Sequence, residues 1–231
     1  MAAFRGVIFD FNGTLFFDTP QHETAWRQYV KELCGREVTD DEFRYCIHGR
    51  TNADILDYFL DKAMTSEEMD QHAEAKEAIY RRLCLQMSDK LHLAEGAEAL
   101  FDALKLKKIP MAIATSSGRS NTQFYVKRFN MWNWFNQSTF IYNDGSFRGK
   151  PHPDIYLKAA EAIGVAPREC VVFEDMPSGI EAARAAGVGK IIAVSSSLSS
   201  EFLSSVEGVD AVVADFRGIE PEALLGETGA F

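Results

Sequence analysis

Apolar positions along this chain gather into short unbroken runs instead of alternating with polar ones. The first is FRGVIFDF, residues 4 to 11, rich in β-branched and aromatic side chains and closed by the turn pair Asn12-Gly13. PMAIAT (110–115), CVVFE (170–174), KIIAV (190–194) and AVVA (211–214) follow it. A strand covered on both faces has no solvent side to alternate with, so these runs read as central strands of a parallel sheet, with the helix-length segments between them as crossovers. The pattern predicts an α/β fold with a Rossmann-like parallel-sheet core.

Residues 20 to about 87 break this rhythm, carrying helix signals and no convincing strand. Thr19 before Pro20 reads as an N-cap and first helical position, and Gly35 as the stop after KELC. Thr39 with Glu42 and Thr65 with Glu68 have the spacing of capping boxes, and Gly49 suits a helix end between them. The first strand precedes this helical region and must return to the sheet built by the rest, so the helices form an insertion. The expected division is a core of 1–17 with 90–231 and an inserted α-helical cap of 18–89. Ligands in open α/β sheets bind beyond the carboxyl ends of strands, so a cap leaving from the end of the first strand is expected to cover the site and help choose the substrate. SSSLSS at 195–200 reads as a surface loop.

Composition narrows the partners. The 231 residues are 46% hydrophobic and 25% charged, as in ordinary globular proteins, and no apolar stretch approaches the ~18 residues of a membrane span. A net charge of −10, from 34 acidic and 24 basic residues, opposes nucleic-acid binding and favours a small substrate. MAAFRGVIFDF lacks the pattern of a secretory signal, so a cytoplasmic chain is expected. Cys34, Cys46, Cys84 and Cys170 have no metal-site spacing and read as reduced packing residues.

The candidate chemistry lies at predicted strand ends. Asp10 closes the first strand, and Gly13 lets the chain turn away behind it. Glu174-Asp175 closes CVVFE; bringing both carboxylates near Asp10 demands a hard divalent cation between them, of which Mg²⁺ is the expected one. Thr115, Ser116, Ser117 and Gly118 put hydroxyls and backbone N–H groups at the same edge, where a phosphate is well held. Lys150 in GKPHPDIY is a cation on a loop stiffened by Pro151 and Pro153.

These segments, in this order, resemble the motifs of the haloacid dehalogenase superfamily, in particular its β-phosphoglucomutase-like branch, over about Val7 to Ala193. DFNGT meets the family pattern D-x-D-G-T except at Asn12, Thr115 meets the Thr/Ser motif, GKPHPDIY the lysine motif and FEDMPSGI the acidic motif. The resemblance implies that Asp10 attacks phosphorus to form an aspartyl phosphate, while Thr115, backbone N–H groups at Ser116, and Lys150 hold the phosphoryl oxygens. It further implies Mg²⁺ bound by Asp10, the backbone carbonyl of Asn12, and Asp175 with help from Glu174.

The departure at Asn12 removes the family's acid/base, an aid worth ~10²- to 10⁴-fold in rate. A good leaving group, or a substitute such as His22, would restore turnover; a weakened, phospho-ligand-binding chain is the alternative. In the cap, His22 and Trp26 share a helix face, and His22 matches a substrate-facing position of the relatives. Arg50, in the segment HGRTNADIL, suits recognition of an anion or polyhydroxyl group, whereas Asn52 stands where the sugar-phosphate mutases carry an arginine. The expectation is therefore a monomeric phosphohydrolase of a small phosphorylated metabolite, with a sugar phosphomutase as its nearest rival.

Overall fold

The computed structural model of the chain describes residues 4–47, 52–60 and 64–226. Packing divides it into two compact units, Met1–Phe17 with His92–Phe231, and Asp18–Leu91.

The regular structure of Asp18–Leu91 is all helical among its described residues, with α1 (Thr19–Cys34), α2 (Asp40–Glu42), α3 (Asn52–Leu60) and α4 (Ser66–Leu85). Both expected capping boxes form, at Thr39 with Glu42 and at Thr65 with Glu68, each satisfying two otherwise orphaned N–H groups. Gly35 ends α1 in the left-handed conformation at φ 67°, where a side chain would be strained. The start of α1 needs correction: Asp18, not Thr19, is the N-cap, and its side chain makes no capping bond. That carboxylate instead accepts from the Tyr80 hydroxyl of α4, so a tertiary partner has displaced the local one. α1 and α4 pack along their apolar stripes, burying Ala25, Trp26, Tyr29 and Val30 against Ile79 and Tyr80. The expected helix end at Gly49 lies outside the described residues.

The other unit is built on a six-stranded sheet in the order β3-β2-β1-β4-β5-β6, every pair parallel. Its strands are β1 (Gly6–Phe9), β2 (Met111–Thr115), β3 (Phe140–Tyr142), β4 (Cys170–Glu174), β5 (Lys190–Val194) and β6 (Ala211–Val213). The helices that follow are α5 (Ala97–Leu106), α6 (Arg119–Arg128), α7 (Asp154–Ile163), α8 (Pro177–Ala185), α9 (Ser200–Ser205) and α10 (Pro221–Leu224). Strand alternation sends Phe9 and Phe173 to one face, stacked at 5.2 Å and joined by Phe101 of α5 and by Phe216. Ile8, Ala112 and Val172 go to the other, against Ile155 and Ala159 of α7 and Ile180 and Ala183 of α8. Each fully buried aromatic or aliphatic side chain contributes roughly 1.5–3 kcal/mol, which is why these runs are apolar at every position. The short edge strand β3 escapes the sequence reading: three residues between polar turns carry too little pattern to separate from loop. With covered faces, parallel strands and strand order reversing at β1, the crevice of the sheet falls at the carboxyl ends of β1, β2 and β4.

Candidate active site

Three strand ends meet at that crevice because register leaves them no other place. Phe9 pairs with Ile113 and with Phe173, so the residues at or just past the strand ends, Asp10, Thr115 and Glu174-Asp175, emerge side by side. Asp10, Glu174 and Asp175 are all buried, and they present carboxylate oxygens within 4.8 Å of one another. Lys150 reaches in from the loop before α7, with Nζ 2.6 Å from Asp10 Oδ1 and 2.5 Å from Glu174 Oε1.

The two acidic residues on β4 are placed differently. Glu174 Oε1 accepts from Lys150 and, at 2.9 Å, from the hydroxyl of Tyr156, while Oε2 accepts the backbone N–H groups of Asp175 and Met176 at 2.8 and 3.0 Å. Its acceptor positions are thus filled by the protein, which makes it the anchor for Lys150. Asp175 lies over Gly13 and takes a 3.3 Å hydrogen bond from Thr14 Oγ1. A Cβ at Gly13 would stand 2.0 Å from Asp175 Oδ2, and φ there is +76°, so glycine is needed for both space and backbone.

Electrostatics follow from this crowding. Burial raises the Asp10 carboxyl above the usual carboxylate range; Lys150 opposes the rise and the Glu174 charge adds to it. Burial alone would lower the Lys150 ammonium, but the charges of Asp10 and Glu174 outweigh it and hold Lys150 above its ordinary value. Three buried carboxylates facing one ammonium leave an excess of negative charge. A hard, oxygen-seeking divalent cation fits that donor set and that deficit.

Thr115 and Asn12 turn toward one another. Thr115 Oγ1 accepts from Ser117 N at 3.1 Å and donates to Asn12 Oδ1 at 3.3 Å. Ser117 Oγ also donates to Asn12 Oδ1, at 2.8 Å, and Asn12 Nδ2 donates to the Tyr125 hydroxyl at 2.8 Å. Tyr125 is fully buried and stacks on Phe11 at 4.3 Å. Ser116 is exposed at the end of β2.

The cap candidates lie in the helical unit and form a cluster of their own. Lys76, 1% exposed, approaches His22 Nδ1 at 3.0 Å and Glu77 Oε1 at 2.8 Å, and its Nζ stands 5.0 Å from the centre of the Trp26 ring. An ammonium can only donate, so His22 Nδ1 accepts and the ring proton sits on Nε2, facing Asp18 at 3.5 Å. His22 stacks on Tyr80 at 3.8 Å, and Asn52 donates to Glu77 at 3.2 Å. Arg50 lies outside the described residues. Sequence reasoning assigned no role to Tyr156, Thr14, Tyr125 or Lys76, and read the Ser117 hydroxyl as facing a phosphate, whereas it donates to Asn12. Tyr156 and Thr14 fall within quoted motifs; Tyr125 and Lys76 sit on helices where spacing alone does not mark them.

Fold and site together define a parallel α/β protein whose strand-end aspartate is clamped by a lysine and backed by two further acids. The family model for haloacid dehalogenase-like hydrolases matches residues 4–187, and the chain belongs to that family. It is 30% identical over 221 residues to a phosphorylated carbohydrates phosphatase of Thermotoga maritima, covering 96% of each chain. A crystal structure of a haloacid dehalogenase hydrolase, family IA, variant 3, from Entamoeba histolytica is 39% identical, with a TM-score of 0.88 over 96% of this chain and 97% of that one. A putative β-phosphoglucomutase of Thermotoga maritima is 29% identical, with a TM-score of 0.64 over 97% of this chain and 98% of that one. Among the described residues no helix is long and apolar enough to cross a membrane, and all four cysteines are free thiols.

Proposed function

We propose that this chain is a Mg²⁺-dependent phosphohydrolase of a small phosphorylated metabolite, working through an aspartyl-phosphate intermediate on Asp10. The observation that carries the reading is Asp10 itself: a buried carboxylate at the end of the central strand, with Lys150 at 2.6 Å and two further carboxylates beside it. Asp10 and Asp175, with the backbone carbonyl of residue 12, would hold Mg²⁺, and Glu174 would contribute charge while fixing Lys150. When bound, the metal supplies positive charge that keeps Asp10 ionised and offsets the charge of a phosphoryl group.

Within this reading Asp10 displaces the leaving oxygen from phosphorus, and water then displaces Asp10 from the phosphoenzyme. Lys150, oriented by Glu174 and Tyr156, stabilises charge on the transferring group, together with N–H groups at the end of β2. The helical unit serves to select the rest of the substrate, with His22 and Arg50 as candidates. Identity to a phosphorylated carbohydrates phosphatase supports a phosphorylated sugar or a similar small ester as substrate.

Likeness to a putative β-phosphoglucomutase supports phosphomutase activity as the second reading. Phosphate release from a panel of sugar phosphates, with and without Mg²⁺, decides between them. Asp10→Ala should lower release about 10³-fold or more. Isomerised sugar phosphate in place of free phosphate would establish the mutase, Mg²⁺-dependent binding without turnover a phospho-ligand-binding protein, and release unchanged in Asp10→Ala would remove the nucleophile assignment.

A further inference from the structure

The side chain two residues beyond Asp10 is locked into a ring. Asn12 Nδ2 donates to Tyr125 Oη, and Ser117 Oγ donates to Asn12 Oδ1. The hydroxyls of Ser117 and Tyr125 are 3.2 Å apart. A hydrogen bond between these two hydroxyls closes a cycle of three hydrogen bonds. Thr115 adds a second donor to Asn12 Oδ1. The Thr115 and Ser117 hydroxyls therefore donate within the protein, the Tyr125 hydroxyl is held in the same ring, and the amide itself has no acidic proton to give at neutral pH.

The remaining groups near Asp10 are no better placed as acids. Lys150 is paired with Asp10 and Glu174, Tyr156 donates to Glu174, and Thr14 donates to Asp175. His152, two residues past Lys150, is exposed. Within the helical unit, taken by itself, both ring nitrogens of His22 face partners, Lys76 and Asp18.

A phosphate ester of an ordinary alcohol leaves as a strongly basic alkoxide and needs a proton as it departs; an ester of a phenol, an enol, a carboxylic acid or the anomeric hydroxyl of a sugar leaves as a much weaker base. We infer that this enzyme is selective for phosphate esters and anhydrides with weakly basic leaving oxygens, because the Asn12–Ser117–Tyr125 ring leaves no acid beside Asp10 among the described residues of the sheet unit. The inference rests on the phosphohydrolase reading. In the first step the Asp10 oxygen–phosphorus bond forms as the bond from phosphorus to the leaving oxygen breaks. The electron pair stays on that oxygen, which takes its proton from solvent. In the second, a water oxygen bonds to phosphorus, its proton goes to solvent, and the Asp10 carboxylate departs with its electron pair. The same lack of a proton acceptor slows this second step, so phosphoenzyme accumulates on the best substrates.

The test is a series of substituted phenyl phosphates of similar size, read as kcat/KM in Mg²⁺, together with glucose 1-phosphate and glucose 6-phosphate. From the most to the least acidic phenol kcat/KM should fall about 10²-fold or more, the rate range that general-acid assistance would otherwise cover. The 1-phosphate should outrun the 6-phosphate, and rapid mixing with the most acidic member should give a burst of phenolate and a phosphoryl mass on the peptide containing Asp10. A nearly flat series overturns the inference. A flat series made steep by replacing His22 or His152 with asparagine overturns it too, and identifies the acid. Loss of hydrolysis across the whole series, or hydrolysis that persists in Asp10→Ala, defeats the phosphohydrolase reading instead.

Discussion

Two lysines in this molecule carry side chains that are 8% and 2% exposed, Lys150 in the sheet unit and Lys76 in the helical unit, and they are satisfied in different ways. Lys150 is held by two carboxylates, Asp10 and Glu174, over the ring of Tyr156, with Asp175 close by. Lys76 is held by Glu77, a nitrogen of His22 and the faces of Trp26 and Tyr80. Around Lys150, among the described residues, negative charge exceeds positive, a costly arrangement unless a further cation joins it, whereas Lys76 meets one direct carboxylate partner, a ring nitrogen and aromatic faces. Excess charge of one sign suits a site that takes a ligand of the other; a lysine matched by its own neighbours suits one that joins helices.

The largest test of that contrast is Lys76→Met. Breaking a buried pair by removing one partner costs about 3–5 kcal/mol. Urea unfolding should show that loss, and Lys76→Met combined with Glu77→Gln should recover part of it. A loss below about 1 kcal/mol, the range of exposed pairs, would mean that Lys76 does not hold α1 to α4.

Next in size is the response to metal. Mg²⁺ at about 100 times its Kd should stabilise the protein by about 2.7 kcal/mol over the chelated form, and Asp175→Asn should abolish the shift. Equal stability with Mg²⁺ and with EDTA would remove the reading of the Lys150 cluster as one short of positive charge.

The smallest effect concerns Gly179, where a Cβ would meet Glu174 Oε1 at 1.6 Å, the oxygen shared by Lys150 and Tyr156. Gly179→Ala should cost about 1–3 kcal/mol by overpacking. It should also lower kcat more than it raises KM, since the displaced group orients Lys150. An unchanged kcat would show that Glu174 needs no fixed position.

The sheet unit is legible in sequence because its chemistry sits at the ends of apolar runs. Asp10, Thr115 and Glu174-Asp175 each end or follow a strand, and parallel pairing brings strand ends together whatever the detailed packing. Lys150 stands out only through the resemblance of its segment GKPHPDIY to the family's lysine motif. The helical unit is legible only in outline: the capping boxes and Gly35 mark helix ends, because those signals act over three or four residues. Asp18 has the composition of a cap, yet its carboxylate goes to Tyr80, 62 positions away.

What the sequence by itself determined is therefore the parallel α/β core, the helical insertion and the residues at the reacting edge, since these depend on local periodicity and on a topology with few solutions. Only the tertiary structure decided that Glu174 anchors Lys150, that Lys76 fastens the helices, and that Tyr125 and Ser117 close a ring on Asn12. Those outcomes turn on which hydroxyl or ammonium lies within about 3 Å of which acceptor, a matter of side-chain direction across elements distant in the chain, on which residue spacing carries no information.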